Sequence, residues 1–332
     1  MRYLITGHTG FKGSWLSAML KIQGHEVYGI ALNPAEKSLF RQANISKYLD
    51  KDIRLDIRNK LELLKKIEEI NPEVIIHLAA QPLVRASYSD PVSTYEINVI
   101  GTLNVLESTR KIENLAGTLI ITTDKVYKNK NQIKGYVETD ELGGDDPYSS
   151  SKAAADLATQ SWRKSFGKSP ISIGRAGNVI GGGDWAEDRI ITDLVHAILA
   201  QSKLVLRNPK SIRPWQHVLD CLNGYLKLIE EQLNSKIQGE WNFGPQELEF
   251  KSVEDLVKSF TNSWGFLPKI EVVKSEFSES NILVLNSEKS RDQLHWQEKL
   301  NFDEVIDWTT SWYKSKDPQA VTENQIIKYL NM

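Results

Sequence analysis

Tyr148 and Lys152 stand four residues apart in Tyr148-Ser149-Ser150-Ser151-Lys152, which puts a phenol and an ammonium on one face of a helix whose start Pro147 marks. Free tyrosine has a pKa of about 10, so it serves as a base near neutrality only beside positive charge, and Lys152 is placed to supply some of it. Taken alone, the Tyr-x-x-x-Lys pattern is common and often marks nothing more than a surface pair. A second group, Thr122-Thr123-Asp124-Lys125, follows the apolar run Leu119-Ile120-Ile121. At the C-terminal end of a strand, where ligands bind in open α/β sheets, an adjacent carboxylate and ammonium are placed for catalysis. Without companions the same residues read as a turn with solvated charges.

The companion is a glycine loop. Thr6-Gly7-His8-Thr9-Gly10-Phe11-Lys12-Gly13 follows the first strand directly and opens the first helix, the context that turns a glycine pattern into a dinucleotide site. Gly7 permits the tight turn, Gly10 lets the backbone approach a pyrophosphate at the helix N-terminus, and Gly13 lets the helix pack closely on the strand. About 20 residues further on, the end of the second strand normally carries an acid for the adenosine ribose. Here that residue is Asn33, which still bonds ribose hydroxyls but has no charge to repel a 2′-phosphate, and Arg41 lies downstream. NAD is expected over NADP.

The elements that must position these groups are legible as an alternation. YLIT, EVYGIAL, VIIHLA, LIITT and ISIGRA are short β-rich runs, and amphipathic stretches at 11–23, 59–70, 92–112 and 149–166 separate them. Strand and helix in turn imply an α/β fold with a doubly wound parallel sheet, whose strands are covered on both faces and so read as nearly continuous apolar runs. After about residue 176 the rhythm becomes irregular, with a glycine cluster at 181–183 and a helix near 189–201. The expected division is a dinucleotide-binding domain from 1–176 and 214–241, and a smaller substrate lobe from 177–213 and 242–332.

At 332 residues the chain can bury a substantial core and exceeds the usual single domain. A net charge of −2 with scattered basic residues lacks the footprint of a nucleic-acid binder. No apolar run reaches membrane-spanning length, MRYLITG leaves no room for a leader, and the one cysteine, Cys221, excludes an internal disulfide. A cytoplasmic protein without nucleic-acid or membrane partners is expected. His8, His77 and His217 lack metal-ligand spacing, so no metal is expected, and His77 inside VIIHLAA reads as a satisfied sheet residue.

With glycine loop, TDK and YxxxK in this order, the chain resembles the extended short-chain dehydrogenases/reductases that act on nucleotide sugars. Longer segments narrow the resemblance to the CDP-glucose 4,6-dehydratases: HLAAQPLVRASY (77–88), TTDKVYKN (122–129), GGDDPYSSSK (143–152), RAGNVIGGGDWAEDR (175–189) and RNPKSIRPWQHVLD (207–220). The likeness runs to WNFGP (241–245). Lysine at 125 matches these enzymes, whereas dTDP-glucose 4,6-dehydratases carry glutamate there and 4-epimerases lack the Asp-Lys or Asp-Glu pair. The resemblance implies that Thr123, Asp124, Lys125, Tyr148 and Lys152 surround the glucose ring. It implies that NAD meets residues 7–13 (Gly7, His8, Thr9, Gly10, Phe11, Lys12, Gly13), Asn33, Asp56 with Ile57, Leu78, Ala79, Ala80, Asn98, Thr122, Tyr148, Lys152 and Ala176. Asp56 reads equally as a helix N-cap. Gln81, Arg85, Asn178, Arg189, Arg207, Arg213 and His217 would meet the nucleotide sugar, the arginines through charge-assisted bonds to its pyrophosphate.

In the implied reaction Tyr148 takes the 4-hydroxyl proton as C4 is oxidised. The ketone acidifies C5–H, Lys125 removes that proton, Asp124 protonates the departing 6-hydroxyl, Thr123 steadies O4, and hydride returns from NADH to the resulting alkene at C6. Two other readings stay open: a sugar-nucleotide 4-epimerase, which releases no water, and a non-catalytic NAD-binding regulator, which would normally have lost YxxxK. A homodimer or homotetramer is expected, because the stretches 92–112 and 149–166 are apolar on more than one face and such enzymes pair them in a four-helix bundle.

Overall fold

The computed structural model describes residues 1–132, 134–246, 250–273 and 282–332. The apolar runs form parallel strands β1 (Arg2–Thr6), β2 (Glu26–Ala31), β3 (Lys51–Arg54), β4 (Val74–His77), β5 (Gly117–Ile121), β6 (Ile171–Ala176) and β7 (Glu240–Phe243). They make one seven-stranded sheet in the order β7-β6-β5-β4-β1-β2-β3, every pair parallel. The order reverses between β1 and β4, and the crevice beyond their C-terminal ends is where such sheets bind ligands. The charges of β3 suit its place at the sheet edge.

Alternate side chains on each strand serve opposite layers. Tyr3, Ile5, Val27, Val74, Ile76, Leu119 and Ile121 join the core with Trp15 and Met19 of α1 (Phe11–Ile22). Leu4, Ile30 and Ile75 join Leu63 and Ile67 of α2 (Lys60–Ile70) and Val105 of α3 (Gly101–Thr109) on the other side. The doubly wound α/β class read from the sequence is the observed one. The single helix expected over 92–112 is more structured: Pro91–Tyr95 leads through a π turn, Glu96–Ile100, into α3, which ends at Thr109.

α4 (Pro147–Phe166) begins where Asp146 accepts the Ser149 N–H at 2.9 Å and Pro147 takes the first helical position. Tyr148 and Lys152 therefore occupy its first two turns, above the end of β5. Beyond β6 the chain forms α5 (Ile190–Leu199), then returns to the sheet through α6 (Val218–Ser235) and β7. β7 runs to Phe243, two residues past the expected boundary at 241. After β7 come α7 (Val253–Trp264), α8 (Phe302–Lys314) and α9 (Pro318–Leu330), with capping boxes at Ser252/Asp255 and Asn301/Glu304.

Candidate active site

The glycine loop has the contacts its residue types demand. Gly7 has φ of +79°, and a Cβ there would stand 2.6 Å from the Ala79 nitrogen; at Gly13 it would stand 2.2 Å from the Gly7 carbonyl oxygen. Only glycine fits either position. Gly10 caps α1 without a side-chain bond, and the first turn carries no acid, so its N–H groups are not capped by a side chain of their own. That end of the helix suits an anionic pyrophosphate.

Two side chains of the loop face inward instead. His8 is fully buried: its Nε2 lies 2.7 Å from Asp52 Oδ1, and a Cβ at Gly29 would lie 2.4 Å from its ring. Burial lowers its pKa against the opposing pull of Asp52. Lys12 Nζ donates to the Tyr225 hydroxyl at 3.2 Å. Thr9 Oγ1 ties the loop to the Leu32 carbonyl at 3.1 Å, and beyond it Asn33, Arg41, Asp52 and Arg54 line an open pocket of about 450 Å³. This is where an adenosine half of a dinucleotide would lie.

Asp56 is held by Arg58, whose Nη2 lies at 2.7 Å, and that pairing keeps its carboxyl below the usual range. The N-cap alternative is overturned: Asn59 caps α2, accepting the Glu62 N–H. Ile57 packs in the core, where a Cβ at Gly101 would meet its Cδ1 at 2.4 Å. Leu78 and Ala80 are half-buried beside Ala79 in the segment that leaves β4, opposite the glycine loop, and Ala176 is buried at the end of β6.

Residues expected to transfer protons lie at the end of β5. Thr123 Oγ1 donates to Asp124 Oδ1 at 2.8 Å, accepts the Lys125 N–H at 3.4 Å and is in hydrogen-bond contact with the Tyr148 phenol. Asn178, at φ +50°, brings Nδ2 to 3.4 Å from Asp124 Oδ2. Asp124 is buried and Lys125 half-buried, so the pair offers an enclosed acid beside a more accessible amine. Burial pushes the Tyr148 phenol up to about 12, opposed by the Thr123 bond and by Arg189.

Lys152 is not the charge that acts most on Tyr148. Its Nζ donates to the Ile121 carbonyl at 2.7 Å, the open acceptor at the end of β5, and burial followed by Lys12 takes its pKa down to about 8 against the pull of Asp156. His77, buried beneath, links Thr6 Oγ1 at 2.6 Å and Thr102 Oγ1 at 3.0 Å, and burial lowers it to about 3. It is the satisfied sheet residue its surroundings suggested.

Supporting residues without a local signal complete the site. Ser87 Oγ accepts the Tyr148 N–H at 3.1 Å. Asn98, in the π turn, bonds the Gln81 main chain and donates to Ser151 Oγ at 2.9 Å, joining that turn to α4. Thr122 Oγ1 donates to Asp156, whose carboxylate is clamped by the fully buried Arg175 at 2.8 and 2.9 Å.

The expected substrate residues separate into two sets. Arg85 and Arg207 both reach Asp188, Arg189 pairs with Asp184 at 2.8 Å, and Arg213 Nη1 donates to the Ile212 carbonyl. Gln81 and His217 are not presented to a ligand. The Gln81 amide bonds Leu83 in its own turn and donates to Thr94 in the helix Pro91–Tyr95. His217 is fully buried between Trp15 and Trp308, accepts the Leu219 N–H and is lowered by burial to about 3.

A nucleotide crevice at a strand-order reversal, facing a tyrosine and lysine on the next helix, defines the short-chain dehydrogenase/reductase class. Within that class the chain belongs to the GDP-mannose 4,6 dehydratase family, whose model matches residues 4–309. It is 38% identical to the CDP-glucose 4,6-dehydratase of Salmonella typhimurium, over 99% of this chain and 96% of that protein. A probable dTDP-glucose 4,6-dehydratase of Sinorhizobium fredii is 26% identical, over 94% and 93%. Among solved structures, the dTDP-glucose 4,6-dehydratase of Bacillus anthracis in complex with NAD superposes with a TM-score of 0.81 at 25% identity, over 96% of this chain and 98% of that one. The UDP-glucose 4-epimerase of Thermus thermophilus in complex with NAD gives 0.84 at 25%, over 95% and 100%.

Proposed function

We propose that this protein is a CDP-glucose 4,6-dehydratase that uses NAD to convert CDP-D-glucose to CDP-4-dehydro-6-deoxy-D-glucose. The observation that carries the reading is the bonded Thr123–Asp124 pair, next to Lys125 in the chain, with Thr123 in hydrogen-bond contact with the Tyr148 phenol. Oxidation at one carbon needs a single base, whereas elimination across C5 and C6 needs a further base and an acid.

Residues 7–13, Asn33, Asp56, Ala79, Asn98, Thr122, Tyr148 and Lys152 would hold NAD, Ile57 shaping its site from the core. When bound, NAD would take the two electrons of the C4 carbinol as hydride and return them to C6 after water has left. Burial holds the Tyr148 phenol up near 12 even with Arg189 pulling it down, so Tyr148 would need further positive charge beside it to act as a base. It then takes the 4-hydroxyl proton while Thr123 bonds O4. Lys125 removes the proton from C5, and Asp124, steadied by Thr123 and Asn178, protonates the departing 6-hydroxyl so that water leaves; a proton returns to C5 as C6 is reduced. Arg85, Arg189, Arg207 and Arg213 bind the diphosphate, and the lobe from 177–213 and 242–332 provides the sugar-nucleotide side of the cleft.

Among the described residues no helix is long and apolar enough to cross a membrane. The reading places the enzyme in the cytoplasm as a homodimer or homotetramer without nucleic-acid partners. Val92, Tyr95, Ile100 and Leu157 are exposed on the helices expected to pair, which supports the oligomer. A monomer at micromolar concentration in sedimentation would count against it. The decisive assay incubates the protein with CDP-glucose and measures the 4-keto-6-deoxy chromophore after alkali. An epimerised sugar retaining its 6-hydroxyl, or no turnover, would replace this function with one of the two alternatives. CDP-glucose should exceed dTDP-glucose and UDP-glucose in kcat/KM.

A further inference from the structure

Asp188 has no part in the reaction above, yet it sits at φ +59°, where few residues other than glycine, asparagine and aspartate are at ease. Its Oδ1 lies 2.9 Å from Arg85 Nη1 and 3.5 Å from Arg207 Nη2. The two guanidiniums come from opposite sides of the cleft. Arg85 belongs to the turn of helix Val84–Ser89 after β4, and Arg207 follows the short lobe strand Leu204–Leu206. Arg189, the next residue along, is paired with Asp184 and acts electrostatically on Tyr148. Asp193 faces the same cluster: burial and Asp188 raise its pKa, while Arg207, His196 and Arg85 lower it.

We propose that Asp188 is an internal stand-in for the substrate's diphosphate: its carboxylate gathers Arg85 and Arg207 across the cleft and gives them up when a nucleoside diphosphate binds. The inference rests on the assignment of those arginines to the diphosphate. One carboxylate oxygen is shared between two guanidiniums, whereas a diphosphate offers them several oxygens and more charge. With both Arg85 and Asp188 at 36% side-chain exposure, the bond is weak enough to be exchanged. Asp188 is thus a positioning residue that keeps the arginines near their working places and competes with the ligand for them.

The test uses NAD-loaded protein and calorimetric titration with CDP and, separately, cytidine. Asp188→Asn keeps the size and tolerates the same backbone, but removes the competing charge. The expected result is CDP binding tighter by about threefold to tenfold, as the loss of two exposed ion pairs predicts, with cytidine unchanged. Unchanged or weaker CDP binding in that variant overturns the proposal, and damage to the site would weaken cytidine as well. Arg85→Gln and Arg207→Gln separate the two failures. If they weaken CDP binding while Asp188→Asn does not strengthen it, only the stand-in role falls; if neither affects CDP, the arginine assignment falls and takes the proposal with it.

Discussion

Gly177→Ala should disable the elimination while sparing the fold. An added Cβ would stand 2.0 Å from Asp124 Oδ2 and 2.2 Å from its Cγ, against an ordinary contact of about 3.4 Å or more. The backbone cannot easily retreat, because Gln216 Nε2 holds the Gly177 carbonyl at 3.2 Å and β6 ends one residue earlier. Asp124 must therefore move by more than about 1 Å, leaving the donors Thr123 and Asn178. A misplacement of that size costs about 100-fold in rate. Overpacking of this kind costs about 1–3 kcal/mol of stability, so the variant should fold with a lowered Tm. Because the proposed reaction uses Asp124 after C4 is oxidised, single-turnover mixing with CDP-glucose should show NADH absorbance rising and persisting while the 4-keto-6-deoxy product forms slowly. Gly174→Ala is the control: its Cβ meets Ile121 Cδ1 at 3.1 Å and Tyr225 Cε1 at 3.3 Å, away from the acid, and should cost stability without stalling the reaction. A Gly177→Ala enzyme with kcat within about threefold of the parent would refute the reasoning about Asp124.

Lys125→Ala should retain formation of NADH but lose both exchange of the C5 hydrogen with solvent and release of the 6-hydroxyl; normal exchange would pass the base role to Tyr148. Arg213→Ala should mainly raise KM, since a diphosphate contact is alike in ground and transition states, and a large fall in kcat at constant KM would show that arginine to be misplaced. Asp220, buried beside Tyr329 and Lys299, has its carboxyl raised from 3.8 to about 7, chiefly by burial. A raised carboxyl favours the folded state most below the unfolded value and loses that contribution as pH rises to about 7. At about 1.36 kcal/mol per pH unit the full difference is on the order of 4 kcal/mol. Asp220→Asn should flatten the fall in Tm between pH 4 and 8, and parallel curves for the two proteins would exclude the effect.

Local chemistry made much of this protein legible from its residues. The strands announce themselves because both faces of a parallel sheet are covered, the glycine loop because Gly7 and Gly13 occupy places closed to a side chain, and Tyr148 with Lys152 because helical spacing alone puts them together. What those neighbours touch was decided by segments far away in the chain. Lys152 found the free carbonyl of Ile121, so its charge serves Tyr148 less than its spacing suggested. His8 turned beneath Gly29 toward Asp52, and His217 was sealed between two tryptophans, although both stand in segments that carry the functional motifs. Ser87 at the Tyr148 nitrogen, Gly177 against Asp124 and Asp188 between Arg85 and Arg207 leave no periodic or local trace. Backbone dihedrals and periodicity are properties of neighbours in sequence, whereas these contacts exist only once packing brings distant segments within a few ångströms.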